Sequence, residues 1–221
     1  MINIWGLVAS YVLIFIVIGV STFLQKKNIL GEEGARKFIH IGVSNWWILA
    51  MFFFTGDQAL WFAMIAPVTF IILNYYSYRH NLLKAMERGG KGNLGTVYFP
   101  ISLLILVIFT FGIVKNPIIG AVGILIMGYG DGFAAVIGKT YGKHKIAFGK
   151  SIEGSVTMFI ASFIVAFLVA LVIKSINSAL ILAMGVAALA TVVELVTPKG
   201  LDNLTVPLST SLFFYLLLLL I

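Results

Sequence analysis

The sequence predicts an all-α polytopic membrane protein, organised as a single domain over residues 1–221 with about eight transmembrane helices. Two observations carry that expectation. First, 61% of the residues are hydrophobic and only 10% are charged, against roughly 45–50% apolar and about 25% charged in an ordinary soluble domain; the mean hydropathy is +1.08. Second, the apolar residues fall in runs of roughly 17–22, the length that spans a bilayer as helix.

In chain order the expected spans cover 2–24, 38–54, 59–76, 97–114, 117–137, 155–173, 179–196 and 204–221. The first is too long for a signal-peptide core and lacks a basic stretch before it, so it is expected to be retained. The second and third carry Trp46, Trp47, Trp61, Tyr75 and Tyr76, aromatic residues as suited to the membrane interfaces as to a lipid groove. The fourth and sixth are almost free of charge over 101–114 and 162–173. The fifth and seventh each contain an acid, Asp131 and Glu194, and the eighth is leucine-rich. No polar interval between spans exceeds about 20 residues, too few for a core of its own. Cysteine is absent, which excludes disulfides and thiolate metal ligands.

Basic residues set the expected orientation, because Lys and Arg concentrate on cytoplasmic loops. Lys26, Lys27, Arg36 and Lys37 share one loop, and Arg79, Lys84, Arg88 and Lys91 the next. Lys139, Lys143, Lys145 and Lys150 share the third, and Lys199 lies in the last. Only Lys115 and Lys174 fall at the opposite face, so both termini are expected on the non-cytoplasmic side. The net charge of +7 is therefore a topology signal; with no separate basic domain, nucleic-acid binding is not expected.

The acids gather at the same face. Glu32, Glu33 and Glu87 fit simple neutralisation of basic loops, whereas Asp131 does not. If its helix ends near Ile137, Asp131 lies roughly 9 Å inside that end at 1.5 Å per residue. An ionised acid at membrane depth costs about 2.5–3.5 kcal/mol on insertion scales, so it needs a partner or a wet cavity. Its flanking glycines, Gly128, Gly130 and Gly132, permit close approach by another group. A small-residue packing face would explain those glycines but not the acid.

Downstream, Gly138, Gly142, Gly149 and Gly154 punctuate the lysine-rich loop. Free backbone N–H groups and cationic side chains beside a helix start form a plausible phosphate cradle, with Ser151, Gly154 and Ser155 at the helix N-terminus. Gly149-Lys150-Ser151 is not a Walker motif, since the required glycine five residues earlier is His144. Three other segments of the same face can join the site. Arg36, Lys37 and His40 open the second span, with Arg36 and His40 one helical turn apart; Asn93, Thr96 and Tyr98 open the fourth; Glu194, Asp202 and Asn203 bracket the last loop. A histidine-rich zinc site is not supported by so few histidines. Oxygen ligands from Asp131, Glu153, Asp202 and Asn203 suit Mg²⁺, and the lysines suit a polyphosphate. The simplest common ligand is a magnesium nucleotide at the cytoplasmic edge of a helix bundle. Its co-reactant would arrive sideways through the bilayer, with a polar head at the depth of Asp131.

The segment GDGFAAVIGKTYGKHKIAFGKSIEGS (130–155) resembles the signature of the CTP-dependent lipid kinases, the family of dolichol, phytol and CTP-dependent diacylglycerol kinases. RKFIH (36–40), GNLGTVYFP (92–100) and LDNLTVPL (201–208) follow that family's order, so the resemblance covers about 36–208. It implies CTP as donor and a lipid alcohol (isoprenoid or diacylglycerol) as acceptor. On that reading Asp131 holds Mg²⁺ with Asp202 and Asn203. Lys139, Lys143 and Lys150 meet phosphate oxygens, and Gly130, Gly138, Gly142, Ser151, Gly154, Ser155, Asn93 and Thr96 contribute to the nucleotide site. Glu153 is a second ligand or the general base, and Arg36, Lys37, His40 and Glu194 are accessory. Phosphatidate cytidylyltransferases share the G-D-x-x-A and K-S/T-x-E-G elements, but their His-Gly-Gly element and closely spaced aspartates are replaced here by Leu201-Asp202-Asn203. A transporter is the reading from another class; against it, the polar groups cluster at one face and no inverted repeat of broken helices stands out. A homo-oligomer is compatible with the sequence.

Overall fold

The structure, a computed structural model, describes residues 1–80, 94–198 and 200–221. The candidate Asn93, and the basic and acidic residues Lys84, Glu87, Arg88, Lys91 and Lys199, lie outside the described residues. The described chain is helical: α1 (Ile2–Lys26), α2 (Glu32–Ser44), α3 (Trp46–Phe53), α4 (Ala59–His80), α5 (Gly95–Val107), α6 (Ile118–Leu125), α7 (Gly132–Thr140), α8 (Ile152–Leu171), α9 (Ile176–Val196) and α10 (Asp202–Leu220). Two π-helical segments, Ile108–Ile113 and Ile126–Asp131, continue α5 and join α6 to α7. Among the described residues, seven helices are long and apolar enough to cross a membrane, counting 95–113 and 118–140 as continuous. The protein is an integral membrane protein.

The eighth expected span is not among those seven. Where the sequence predicts one helix over 38–54, α2 and α3 meet at Asn45. The Asn45 side-chain amide donates to the Ile41 carbonyl at 2.8 Å, and its Oδ1 accepts from the Tyr129 hydroxyl at 2.9 Å. This local side-chain bonding competes with the helical ladder and makes a joint. The pair nonetheless runs the length of α1. Ser21 Oγ donates to the Ala35 carbonyl at 2.8 Å, Trp46 Nε1 donates to Ser10 Oγ at 2.8 Å, and Asn3 exchanges hydrogen bonds with Thr55 at 3.1 and 3.0 Å. Because α2 and α3 together run back along α1, the chain ends lie at one face of the bundle, and the loops carrying 27–31 and 141–151 lie at the other.

The α6–α7 pass is the axis. Of its most apolar window 78% is buried, against 22% for α1, and it packs against α2, α3, α8 and α10. Small residues make this possible, as they do wherever membrane helices approach closely. A Cβ on Gly120 would lie 2.0 Å from Trp47 Cζ2, and one on Gly123 would lie 2.2 Å from the Pro207 carbonyl oxygen. Trp47 is fully buried, and its indole N–H donates to the Pro117 carbonyl at 2.8 Å.

Proline performs a specific task in α5. Pro100 has no N–H to offer the carbonyl of Thr96, and a free carbonyl at membrane depth must be satisfied by a neighbour. Asn74 of α4 donates to that carbonyl at 2.8 Å, tying α4 to α5 near the polar face.

Gly120→Ala is expected to destabilise the bundle by about 1–3 kcal/mol through overpacking against Trp47. A lowered thermal unfolding midpoint in detergent would show it; an unchanged midpoint would contradict this close approach.

Candidate active site

Asp131 ends the π-helical segment, a local widening of the helix that is common at functional sites. Its glycine flanks face two different neighbours. Cβ atoms on Gly128 and Gly132 would lie 2.1 Å from Ser44 Oγ and 2.7 Å from Ile41 Cγ1, both on α2. One on Gly130 would lie 2.8 Å from Met158 Sδ on α8. α2 can therefore press against the axial pass, and Lys37, one turn before Ile41, reaches Asp131. Lys37 Nζ donates to Asp131 Oδ2. Both residues are buried, Lys37 at 5% exposure and Asp131 at 4%. Neither charge is tolerable alone at that depth, and each supplies the other's counter-charge.

A second ion pair closes the neighbouring side. Lys150 Nζ lies 2.7 Å from Glu194 Oε1 and also donates to the Glu194 backbone carbonyl, pinning the glycine–lysine loop to the end of α9. Asp202 opens α10, which packs on the π-helical segment that Asp131 ends, and Asp202 lines the same cavity as Lys37, the partner of Asp131. Asp202 Oδ1 accepts the N–H groups of Gly200 at 2.9 Å and Asn203 at 3.0 Å at the start of α10. Asn203 Nδ2 donates to the Gly200 carbonyl at 3.2 Å, while Asn203 Oδ1 is buried with no hydrogen-bond partner among the described residues. The Asp131 and Asp202 segments thus come to one region. Among the described residues, no three acidic or histidine side chains form a ready-made metal cage.

The loop between α7 and α8 folds on itself. Ile152 N–H donates to the His144 carbonyl at 3.0 Å, and Ile146 N–H to the Lys150 carbonyl at 2.9 Å. Phe148 and Gly149 at its tip have φ of 56° and 73°. Glu153 accepts from the backbone N–H of Lys143 at 3.2 Å and of His144 at 3.3 Å, and lies 2.8 Å from His144 Nδ1. Ser151 caps α8, its Oγ accepting from Gly154 N–H at 3.2 Å. The close approach that Gly138, Gly142 and Gly154 allow is taken up inside the chain. A Cβ on Gly142 would meet the Gly138 carbonyl at 2.1 Å and Ser151 Oγ at 2.5 Å, and one on Gly154 would meet the Ala134 carbonyl at 3.1 Å. Lys139, Lys143 and Lys145 are exposed around this compact turn. Ser155 Oγ, one turn into α8, is buried without a partner among the described residues.

Beside the Lys37–Asp131 pair opens a cavity of about 630 Å³ between α1, α2, α4, α5 and the start of α10. Its head is polar, lined by Arg36, Lys37, Asn74, Thr96, Asp202 and Asn203; its body is apolar. His40 lines it too, its ring 4.5 Å from that of Phe99, and Arg36 pairs with Glu33. Asn74 and Ser77 at the head are absent from the sequence reading, because nothing local distinguishes them on an apolar helix. The central place of Lys37 did leave a signal. Lys37, Ile41 and Ser44 recur at helical spacing and form the face that meets the glycines around Asp131.

Three relatives frame this arrangement. The chain is 32% identical to a phytol kinase from Synechocystis sp., over 94% of this chain and 88% of the relative. It is 30% identical to the chloroplastic phytol kinase 1 of Arabidopsis thaliana, over 87% of this chain and 69% of the relative. It is 26% identical to the chloroplastic farnesol kinase of the same plant, over 88% and 68%. No protein-family model and no solved structure matches the chain.

Removing one partner of the buried pair should be costly. Lys37→Ala or Asp131→Ala alone is expected to lose about 3–5 kcal/mol, because an uncompensated charge stays buried. The double variant should lose much less than the sum of the two, as read by unfolding in detergent; additive losses would mean that the charges do not compensate each other. Lys150→Ala should release the loop, so that limited trypsin digestion at Lys143 and Lys145 accelerates several-fold; an unchanged rate would show that Glu194 does not hold it.

Proposed function

The chain belongs to the phytol kinase family, and on that premise we propose that it transfers the γ-phosphoryl group of CTP to the hydroxyl of an isoprenoid alcohol. The observation that best supports an alcohol with a long apolar tail is the cavity. Its charged head adjoins the Lys37–Asp131 pair, and its body is lined by Ile14, Val43, Trp46, Phe70 and Leu103. In the reaction the alcohol oxygen bonds to the γ-phosphorus, the bond from that phosphorus to the β,γ-bridging oxygen breaks, and CDP leaves. The hydroxyl proton passes to a carboxylate at the head of the cavity or to water.

Phosphoryl transfer asks the protein mainly for positioning and charge stabilisation. The exposed Lys139 and Lys143 stand where phosphate oxygens of a nucleotide would meet the loop. Lys150 and Glu153 hold that loop in place, through Glu194 and through the amides of Lys143 and His144 respectively. Arg36 and Lys37 set positive charge at the head of the cavity, where the acceptor oxygen and the transferred group meet. Asp131, Asp202 and Asn203 fit Mg²⁺, which takes one or two carboxylates and draws its remaining oxygens from phosphate and water. The buried, unpartnered Asn203 Oδ1 is an oxygen donor of the right kind. Held by those residues, the ion would supply positive charge to offset that of the phosphate oxygens. The site is assigned to the cytoplasmic side on the distribution of Lys and Arg, which leaves only Lys115 and Lys174 at the opposite face.

Purified protein in detergent, given CTP, Mg²⁺ and a prenyl alcohol, should form CDP and the lipid monophosphate. Pyrophosphate release with a lipid phosphate as acceptor would overturn the assignment in favour of cytidylyl transfer. Asp131→Asn should lower turnover by at least about 10²–10³-fold, assayed below its own unfolding midpoint; a variant of near-normal activity would remove Asp131 from the reaction.

A further inference from the structure

α1 and α4 run side by side, and the seam between them changes along its length. Tyr11 and Thr69 tie the two helices together, their hydroxyl oxygens 2.9 Å apart, and the Tyr11 ring lies 6.2 Å from that of Phe70. Nearer the polar face, Phe15, Leu73 and Tyr76 line the cavity and yet are 67%, 53% and 56% exposed. A side chain that lines a cavity and also faces outward marks an opening, and an opening flanked by apolar and aromatic residues on two membrane-spanning helices faces lipid. The opposite end of the cavity is closed. Trp46 is 1% exposed, with its indole N–H fixed on Ser10 at 2.8 Å, and Ala66 is 2% exposed. The nine residue steps from Lys37 to Trp46 set a depth of roughly 14 Å at helical rise.

Resting on the kinase reading above, we propose that the prenyl tail of the acceptor enters sideways between α1 and α4, on the polar-face side of the Tyr11–Thr69 contact. The tail lies along the cavity with its end against Trp46 and Ala66, so this floor measures chain length. Close-packed interiors do not yield to extra carbons without strain, whereas a tail short of the floor leaves apolar surface uncovered. Ala66 is the position where added volume grows into the cavity and shortens it.

Two measurements test this. Ten-, fifteen- and twenty-carbon prenyl alcohols are compared as acceptors for the wild type and Ala66→Phe. The variant should shift the kcat/KM ratio of the twenty- to the ten-carbon alcohol downward by roughly tenfold or more, the scale on which apolar pockets discriminate added carbons. An unchanged ratio overturns the proposal. Independently of turnover and of how well the variant folds, a twenty-carbon prenyl alcohol with a photoreactive diazirine at its tail end is irradiated with wild-type protein in bilayers. Adducts on Ile14, Trp46, Ala66 or Leu103 support the floor, and adducts scattered over the lipid-facing surface overturn it. Wild-type protein that forms those adducts but phosphorylates no alcohol would fail the kinase reading and leave the tail site standing.

Discussion

The buried contact between Lys37 and Asp131 is the constraint on which the polar half of this bundle depends. A carboxylate on the most enclosed pass of a membrane protein is tolerable only beside a counter-charge, and an ammonium at the same depth has the same requirement. The pair fixes the distance between α2 and the axial pass, and the chain meets that distance by removing side chains. Gly128 and Gly132 let α2 seat against the axis, while Gly130 gives the same freedom to α8. The glycines, the lysine and the aspartate are thus one device, and the head of the cavity is its by-product.

The rest of the polar face is built around that pair. Lys150 and Glu194 anchor the loop that follows α7, and Glu153 folds the loop by accepting its backbone amides. The lysines therefore divide into two groups. Lys37 is a buried tie between helices and the half-buried Lys150 ties the loop to α9, whereas Lys139, Lys143 and Lys145 are exposed at and around the hydrogen-bonded turn. Such a turn presents exposed cations on a hydrogen-bonded backbone. That arrangement suits an anionic co-substrate arriving from water, while the opening between α1 and α4 suits an apolar one arriving from the bilayer. In the proposed reaction the two routes meet at the head of the cavity, at Arg36, Lys37 and Asp202.

Two of the backbone breaks are answered by a neighbouring helix. The joint at Asn45 is held by Tyr129, and the carbonyl that Pro100 leaves free is taken by Asn74. The π-helical segment brings Asp131 to the face of α2 without interrupting the pass. In a solvent that offers no hydrogen bonds, irregular backbone survives where a neighbouring helix completes it. These breaks lie beside the cavity and the ion pair, where shape has to depart from a straight bundle.

The sequence by itself determined the all-helical membrane class and the gathering of charge at one face, while seven of the eight expected spans stand as membrane-length helices. Those properties follow from hydrophobic run length and from the cost of charge in lipid, both of which are local. It also marked Asp131, because an acid between glycines in an apolar run has no local explanation. Tertiary structure decided which cation meets that acid, since Arg36, Lys37 and the loop lysines are equivalent until helix packing turns one toward the axis. It likewise converted Gly138, Gly142 and Gly154 from a loop open to phosphate into a turn packed on Ser151. The cavity, with Asn74, Ser77 and Ala66 in its walls, was not legible at all. It exists only between helices distant in sequence, and nothing in an apolar run distinguishes a residue that lines a cavity from one that faces lipid.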